Sequence, residues 1–475
     1  MVTRPLVWTV ALAIPLAACS SGPDYRPHAA SALGVPDNFS VKANQEAQED
    51  LAHWWTKFDD PMLASVVDRA RANNLDIALA VTRLRQSRES LAQSRASLLP
   101  SLSAGAGYSR SQAITGPGGG NDSFSIGGDA SYQVDLFGGV RRGVEASRAG
   151  YEASGFDYAA VLISVQAETA RNYVLARLAQ SNLANARDSL AIQDDNLEIA
   201  GFRVQAGLVS SLDQEQARAS RAQTAASIPN LEASYNGFVS RLGVLTGQAP
   251  GALKAELETA RPIPRGPANV ATGIPAESLR QRPDVRSAER NLAAATAQIG
   301  VATAQLYPSL SIGGSLDGGG GALSTIFDAI SGRLFANIAQ TIFDGGRTRS
   351  QIRSAEAAAD GAFISYKSTV LGALEDIENA IVALQSAQAR ETQFRIALDA
   401  ANNQTLLARL QYRSGLTDFT TLNQAESSLL SARNGISQAQ ADQSTALIQL
   451  YLALGGGWDS NITPTAPEQA PTNGN

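Results

Sequence analysis

From Ser123 to Phe137 the chain alternates with period two. Phe124, Ile126, Gly128, Ala130, Tyr132, Val134 and Leu136 fall on one side, and Ser125, Gly127, Asp129, Ser131, Gln133 and Asp135 on the other. Soluble strands usually run about five or six residues, so this alternation is long for one. Three more segments repeat it. Leu102, Ala104, Ala106 and Tyr108 share a face, as do Leu310, Ile312 and Leu316, and then Leu334, Ala336, Ile338 and Ile342, the last interrupted by Gln340. The pattern predicts strands over about 101–110, 123–137, 309–317 and 333–343, with Gly-rich loops at 110–122 and 317–330. A membrane-spanning strand needs about 9–11 residues, apolar outward and polar inward. The alternative is a pair of soluble hairpins packed on helices.

Four membrane strands cannot close on themselves, and an open edge in lipid leaves backbone groups unpaired at several kcal/mol each. The strands must then be shared between chains. Two copies give about eight strands and a filled interior, and three give about twelve and a lumen. A Ser/Gly/Asp inner face suits the trimer.

The chain is also duplicated. Asp76 and Asp284, Pro100 and Pro308, and Gly207 and Gly415 each stand 208 residues apart. Asp135-Leu136-Phe137-Gly138-Gly139 matches Ile342-Phe343-Asp344-Gly345-Gly346 within a residue. A unit this long is no solenoid repeat. Each half reads helix, hairpin, very long helix, turn, shorter helix. The first helix is expected over about Pro61–Leu99. The long helices are expected over Arg142–Gln205 and Arg349–Ser414, roughly 100 Å each at 1.5 Å per residue. Leu183, Leu190, Leu197 and Val204 stand seven apart, as a coiled-coil seam requires. Shorter helices are expected at 212–245 and 276–306. The fold class is therefore α+β, mainly α. The divisions are 61–246 and 276–458 for the repeats, 247–275 for a Pro/Gly-containing linker, 19–60 for an extended N-terminal segment and 459–475 for a disordered tail.

Residues 1–18 read as a signal peptide: Arg4 is the only charge and Val7–Leu16 the apolar stretch, too short to span a bilayer. Leu16-Ala17-Ala18-Cys19 resembles a lipobox, which makes Cys19 the lipidated first residue of the mature chain; Ser20 after it leans toward the outer membrane. No other stretch reaches the ~18 apolar residues of a spanning helix. Formal net charge is −6, so no basic footprint for nucleic acid exists. With one cysteine and two histidines, His28 and His53, an intrachain disulfide, Cys/His zinc sites and the usual Cys–His dyad are excluded. Gly118-Gly119-Gly120 and 318–321 lack the Lys-Ser/Thr of a phosphate loop. Asp59-Asp60 and Asp194-Asp195 are adjacent pairs, which on a helix do not face one another. Trp54-Trp55 is read as packing at a helix start. No enzyme, metal or cofactor is expected.

At this point the landmarks resemble a known family, the TolC-like outer-membrane efflux factors in their NodT-type lipoprotein branch. They are Pro23-Asp24-Tyr25-Arg26-Pro27, Trp54-Trp55-Thr56-Lys57-Phe58-Asp59-Asp60-Pro61, Tyr132-Gln133-Val134-Asp135-Leu136-Phe137-Gly138, Arg282-Pro283-Asp284-Val285, Tyr307-Pro308-Ser309, Ile342-Phe343-Asp344-Gly345-Gly346-Arg347 and Tyr412-Arg413-Ser414-Gly415. The resemblance implies a homotrimer in outer-membrane lipid, palmitoylated at its anchor, with a 12-stranded barrel over a periplasmic α-helical barrel. A belt near 246–275 and the chain ends would wrap the helices midway. It implies a periplasmic adaptor and an inner-membrane pump of the RND type as partners, and an exit duct for drugs or other small molecules. Alternatives are a type I protein-secretion duct and a structural surface lipoprotein without conductance.

The resemblance also bears on the tip of the long helices. The family's two acidic aperture positions fall on Thr421 and Gln424, and its apolar gate position on Thr420, so an acidic ring does not carry over. A neutral constriction of Thr420, Thr421 and Gln424 is expected, unless Gln424 is an ordinary helix residue and the gate lies elsewhere. Asp418 is the only nearby acid. Asp213 matches the family's Asp, but its Arg partner falls on Thr417, leaving Asp213–Arg413 as the expected tie. In the barrel, Asp129 and Asp135 are expected as lumen charges favouring cations, with Asp135 alternatively capping a turn.

Overall fold

The computed structural model describes residues 21–44, 46, 51–116, 118–461 and 463–465. The signal peptide, Cys19 and most of the tail expected at 459–475 lie outside the described residues.

The helix expected over Pro61–Leu99 is two helices, α1 (Pro61–Asn73) and α2 (Leu75–Ala96). Asp60 caps the first: its carboxylate accepts from Met62 N and Leu63 N, with Pro61 opening the helix. Asn74 breaks the pair. Its backbone is extended, and its side-chain oxygen accepts from Asp76 N and Ile77 N to start α2. Strands β1 (Ser101–Ser111) and β2 (Asn121–Val134) follow, then α3 (Gly139–Gln205), α4 (Ser211–Leu245) and the short α5 (Lys254–Leu257). The second half is built alike. The helix expected over 276–306 is divided at Arg282, the residue before a proline, into α6 (Pro275–Gln281) and α7 (Pro283–Ala304). Strands β3 (Ser309–Gly320) and β4 (Ile330–Ala339), α8 (Arg347–Arg413) and α9 (Phe419–Ala453) complete it.

The first residues of α2 and α7, of β1 and β3, of α3 and α8, and of α4 and α9 are each 208 apart. The turns repeat too. Gly207 and Gly415 follow the two 67-residue helices in left-handed conformation, φ 68° and 69°. In each, the next amide reaches back to the final turn, Leu208 N to Arg203 O at 2.9 Å and Leu416 N to Gln411 O at 2.9 Å. This is the glycine-terminated closure that satisfies the last carbonyls of a helix.

β4 corrects the expectation of a strand over 333–343. It starts at Ile330 and stops at Ala339, because Gln340 turns away and donates from Nε2 to Leu306 O.

The chain forms two compact units. One contains the strands with Gln86–Glu152, Glu289–Ser365 and the segment ending at Pro27. Here the strands make one antiparallel sheet in the order β1-β2-β3-β4. Ser21 donates to Phe137 O, and Arg142 binds Ser21 O, Asp24 and Glu145. The other contains His28–Arg85, Ala153–Ala288 and the chain from Tyr366. Its core holds Trp54, Trp55 and Phe58 against Tyr451; Trp54 stacks on Tyr451 at 5.3 Å. The tryptophan pair is thus packing, as read from the sequence.

Candidate functional sites

In the sheet, register settles which side chains share a face. Leu102 pairs with Ala130, Ala130 with Gly314 and Gly314 with Leu334. Tyr132, Ile312 and Ala336 form a second apolar row, and Val134, Leu310 and Ile338 a third. This face is apolar along all four strands yet exposed: Leu102 is 84%, Leu334 89% and Ile338 75% accessible. Aromatic pairs bound it. Tyr108 and Phe124 lie 4.9 Å apart at one end, where Tyr108 donates to Asp122 at 2.9 Å. Phe137 stacks on Tyr307 at 4.6 Å beyond the other end. An apolar band flanked by aromatic girdles is the signature of a sheet solvated by lipid.

The opposite face is Ser and Gly over most of its extent. Its charged rows are Ser103–Asp129–Ser315–Arg333 and Gly105–Gly127–Asp317–Ser331. Asp129 lies on this polar face, as expected. Asp135 does not act as a face charge, which corrects the lumen reading in favour of its alternative. Its carboxylate accepts from Val140 N and Arg141 N and pairs with Arg141 Nε at 3.2 Å, capping α3. Arg333 was missed, because the pattern was followed along the apolar positions 334, 336 and 338; simple alternation places 333 opposite them. The outer edges of β1 and β4 have no pairing strand among the described residues.

In the other unit, the turns after α3 and α8 lie on a small core of Ala200, Ala217, Ala408, Tyr412, Phe419, Leu422 and Ala425. Ser210 caps α4, and Asp418 caps α9 by accepting from Thr421 N at 2.8 Å. That amide bond, with the Thr421 side chain, holds the Asp418 carboxyl below the usual range. Because Phe419, Leu422 and Ala425 face the core, Thr420, Thr421 and Gln424 are turned outward and all three are exposed. Gln424 stands four residues after Thr420 and three after Thr421, so it neighbours both on one helix face. Thr420 Oγ1 donates to Gln216 Oε1 at 3.3 Å.

The expected Asp213–Arg413 tie is absent among the described residues. Arg203 takes its place. Its guanidinium lies 4.3 Å from the centre of the Tyr412 ring and donates to Tyr412 O at 2.7 Å. Deeper in, buried Glu426 accepts from Asn196 at 2.7 Å and pairs with Arg409 at 3.2 Å.

No group of His, Cys, Asp and Glu suited to a metal exists among the described residues. No helix there is long and apolar enough to cross a membrane. Comparison with known proteins agrees with the duplicated frame. The family model described as "Outer membrane efflux protein" matches twice, over 66–248 and 274–456. Nodulation protein T of Rhizobium leguminosarum bv. trifolii is 30% identical over 94% of this chain and 96% of its own length. The pyoverdine export outer membrane protein OpmQ of Pseudomonas aeruginosa is 30% identical over 91% and 93%. Among solved structures, the outer-membrane channel OprN superposes with a TM-score of 0.84 at 33% identity, over 93% of this chain and 100% of that one. With two matches of one model covering most of its length, the chain belongs to the outer membrane efflux protein family.

Proposed function

We propose that the chain is the outer-membrane channel of a tripartite efflux system, a passive exit duct that works as a homotrimer. One observation carries this reading: a sheet apolar on one face, polar on the other and, among the described residues, unpaired at both edges. In lipid those edges must be covered, and other copies of the same sheet cover them with strands of the right length. Three copies give about twelve strands and a hollow interior. The 67-residue helices then project from the barrel into the periplasm as a helical barrel. The pump supplies the energy and the duct needs no active site.

In this reading the two repeats are 61–246 and 276–458, and 247–275 belongs to a belt. Supporting the belt, Ser444 donates to Pro264 O, Gln388 to Ala268 O, and Thr272 N to Asn44 O. Cys19 is the lipid anchor, although it lies outside the described residues. Thr420, Thr421 and Gln424 form the resting aperture, where a periplasmic adaptor and an RND-type pump engage. The export role in the name of the Pseudomonas aeruginosa relative favours small-molecule cargo over secreted protein.

Native mass spectrometry of the purified, lipidated protein tests the assembly. A three-chain mass is expected; a protein that stops at two chains overturns the twelve-stranded barrel.

A further inference from the structure

The polar face of the sheet is not uniformly bland. Arg333 stands on it with no hydrogen bond or ion pair among the described residues, and two residues along the same strand and face is Phe335. A phenyl ring is out of place among serines and glycines, yet it is held there. It lies across Gly313, its direct cross-strand partner, where an added Cβ would stand only 2.5 Å from the ring. Phe335 nevertheless stays 42% accessible. The acids nearby are placed differently. Asp317 accepts from Ser315, and Asp129 lies two strands away, about 10 Å at 4.8 Å per strand.

From this we infer that Arg333 and Phe335 form a binding station for organic anions that carry an aromatic or other apolar ring. The anionic group takes the planar guanidinium, and the ring lies over Phe335 about 7 Å along the strand. β1, the strand that would adjoin β4 in a closed barrel, carries only Ser and Gly on its polar face and leaves the station open. The inference rests on the proposed barrel, in which this face lines the lumen.

Planar-bilayer recording of the full-length protein tests it, with naphthalene-2-sulfonate added from the extracellular side and 2-naphthylmethylammonium as control. The sulfonate is expected to block wild type. Its half-blocking concentration should rise about tenfold in Arg333→Gln and in Phe335→Ser, the loss of one charged or stacking contact. Arg333→Gln should also move the reversal potential toward cations, and block by the ammonium should not weaken. Where Arg333→Gln does not assemble, Arg333→Lys keeps the charge and loses the planar fork. It should weaken block several-fold with the reversal potential in place. Unchanged block in variants that conduct as wild type does, or no block of wild type, overturns the station. A wild-type protein without any conductance overturns the barrel reading instead.

Discussion

Arg203 lies over Tyr412, its guanidinium carbon 4.3 Å from the ring centre, and so ties the end of α3 in the first repeat to the end of α8 in the second. The Tyr412 ring is buried, which raises its hydroxyl above the usual phenol range while the neighbouring Arg203 opposes the rise, so the pair is packed face to face inside the tip. Such a stack contributes about 0.5–2 kcal/mol. Arg203→Gln and Tyr412→Leu should each raise resting conductance in planar bilayers. Because both remove the same stack, and Arg203→Gln also the bond to Tyr412 O, the double variant should rise no further than Arg203→Gln alone. Additive increases would show that the two residues act separately.

The aperture makes a second expectation. Thr420→Ala with Gln424→Ala removes two of three polar side chains that the core below turns outward. Resting conductance and entry of large antibiotics should rise. A correctly assembled double variant that leaks no more than wild type places the gate elsewhere. With no acidic group among the three, closed-state conductance should also respond weakly to divalent cations.

Asp344 gives a pH dependence. Thr348 donates to its carboxylate from both hydroxyl and amide, and Gly346 N adds a further bond, which together hold the carboxyl down to about 2 from 3.8. A carboxyl depressed on folding contributes stability that is complete above its unfolded value. That stability fades as pH falls from about 4 to about 2. Asp344→Asn should therefore lower the thermal midpoint at pH 7, with the gap to wild type closing toward pH 2. A gap of constant size across that range would rule out the cap as its cause.

Trp54 is fully buried and stacked on Tyr451, while its indole N–H has no hydrogen-bond partner among the described residues. Trp54→Ala should cost about 3–5 kcal/mol. Trp54→Phe gives up contact area but no hydrogen bond, and should denature between the other two proteins in a thermal melt.

The sheet and the long helices were legible because each writes a period into the sequence. Asn74 was hidden by the periodicity running through it, although Asn before Leu75-Asp76 is a helix-capping signal. Arg282 before Pro283 was likewise an open signal of a helix boundary. Asp135 admitted two readings, because an acid at the end of a strand is also an acid just before a helix. Arg333 was visible in the alternation once the polar positions were followed as closely as the apolar ones. Arg203 was not visible at all. Its partner is 209 residues away, and nothing local distinguishes it from the other arginines of α3.

The two tip turns share a backbone but not their side chains. Leu212, Asp213 and Gln216 occupy in α4 the places that Thr420, Thr421 and Gln424 occupy in α9. In the proposed trimer six nearly equivalent turns meet, yet a single codon change alters only every other one. Duplication thus gives the gene separate control of two interleaved threefold sets, so one set can diverge toward a partner while its twin preserves closure.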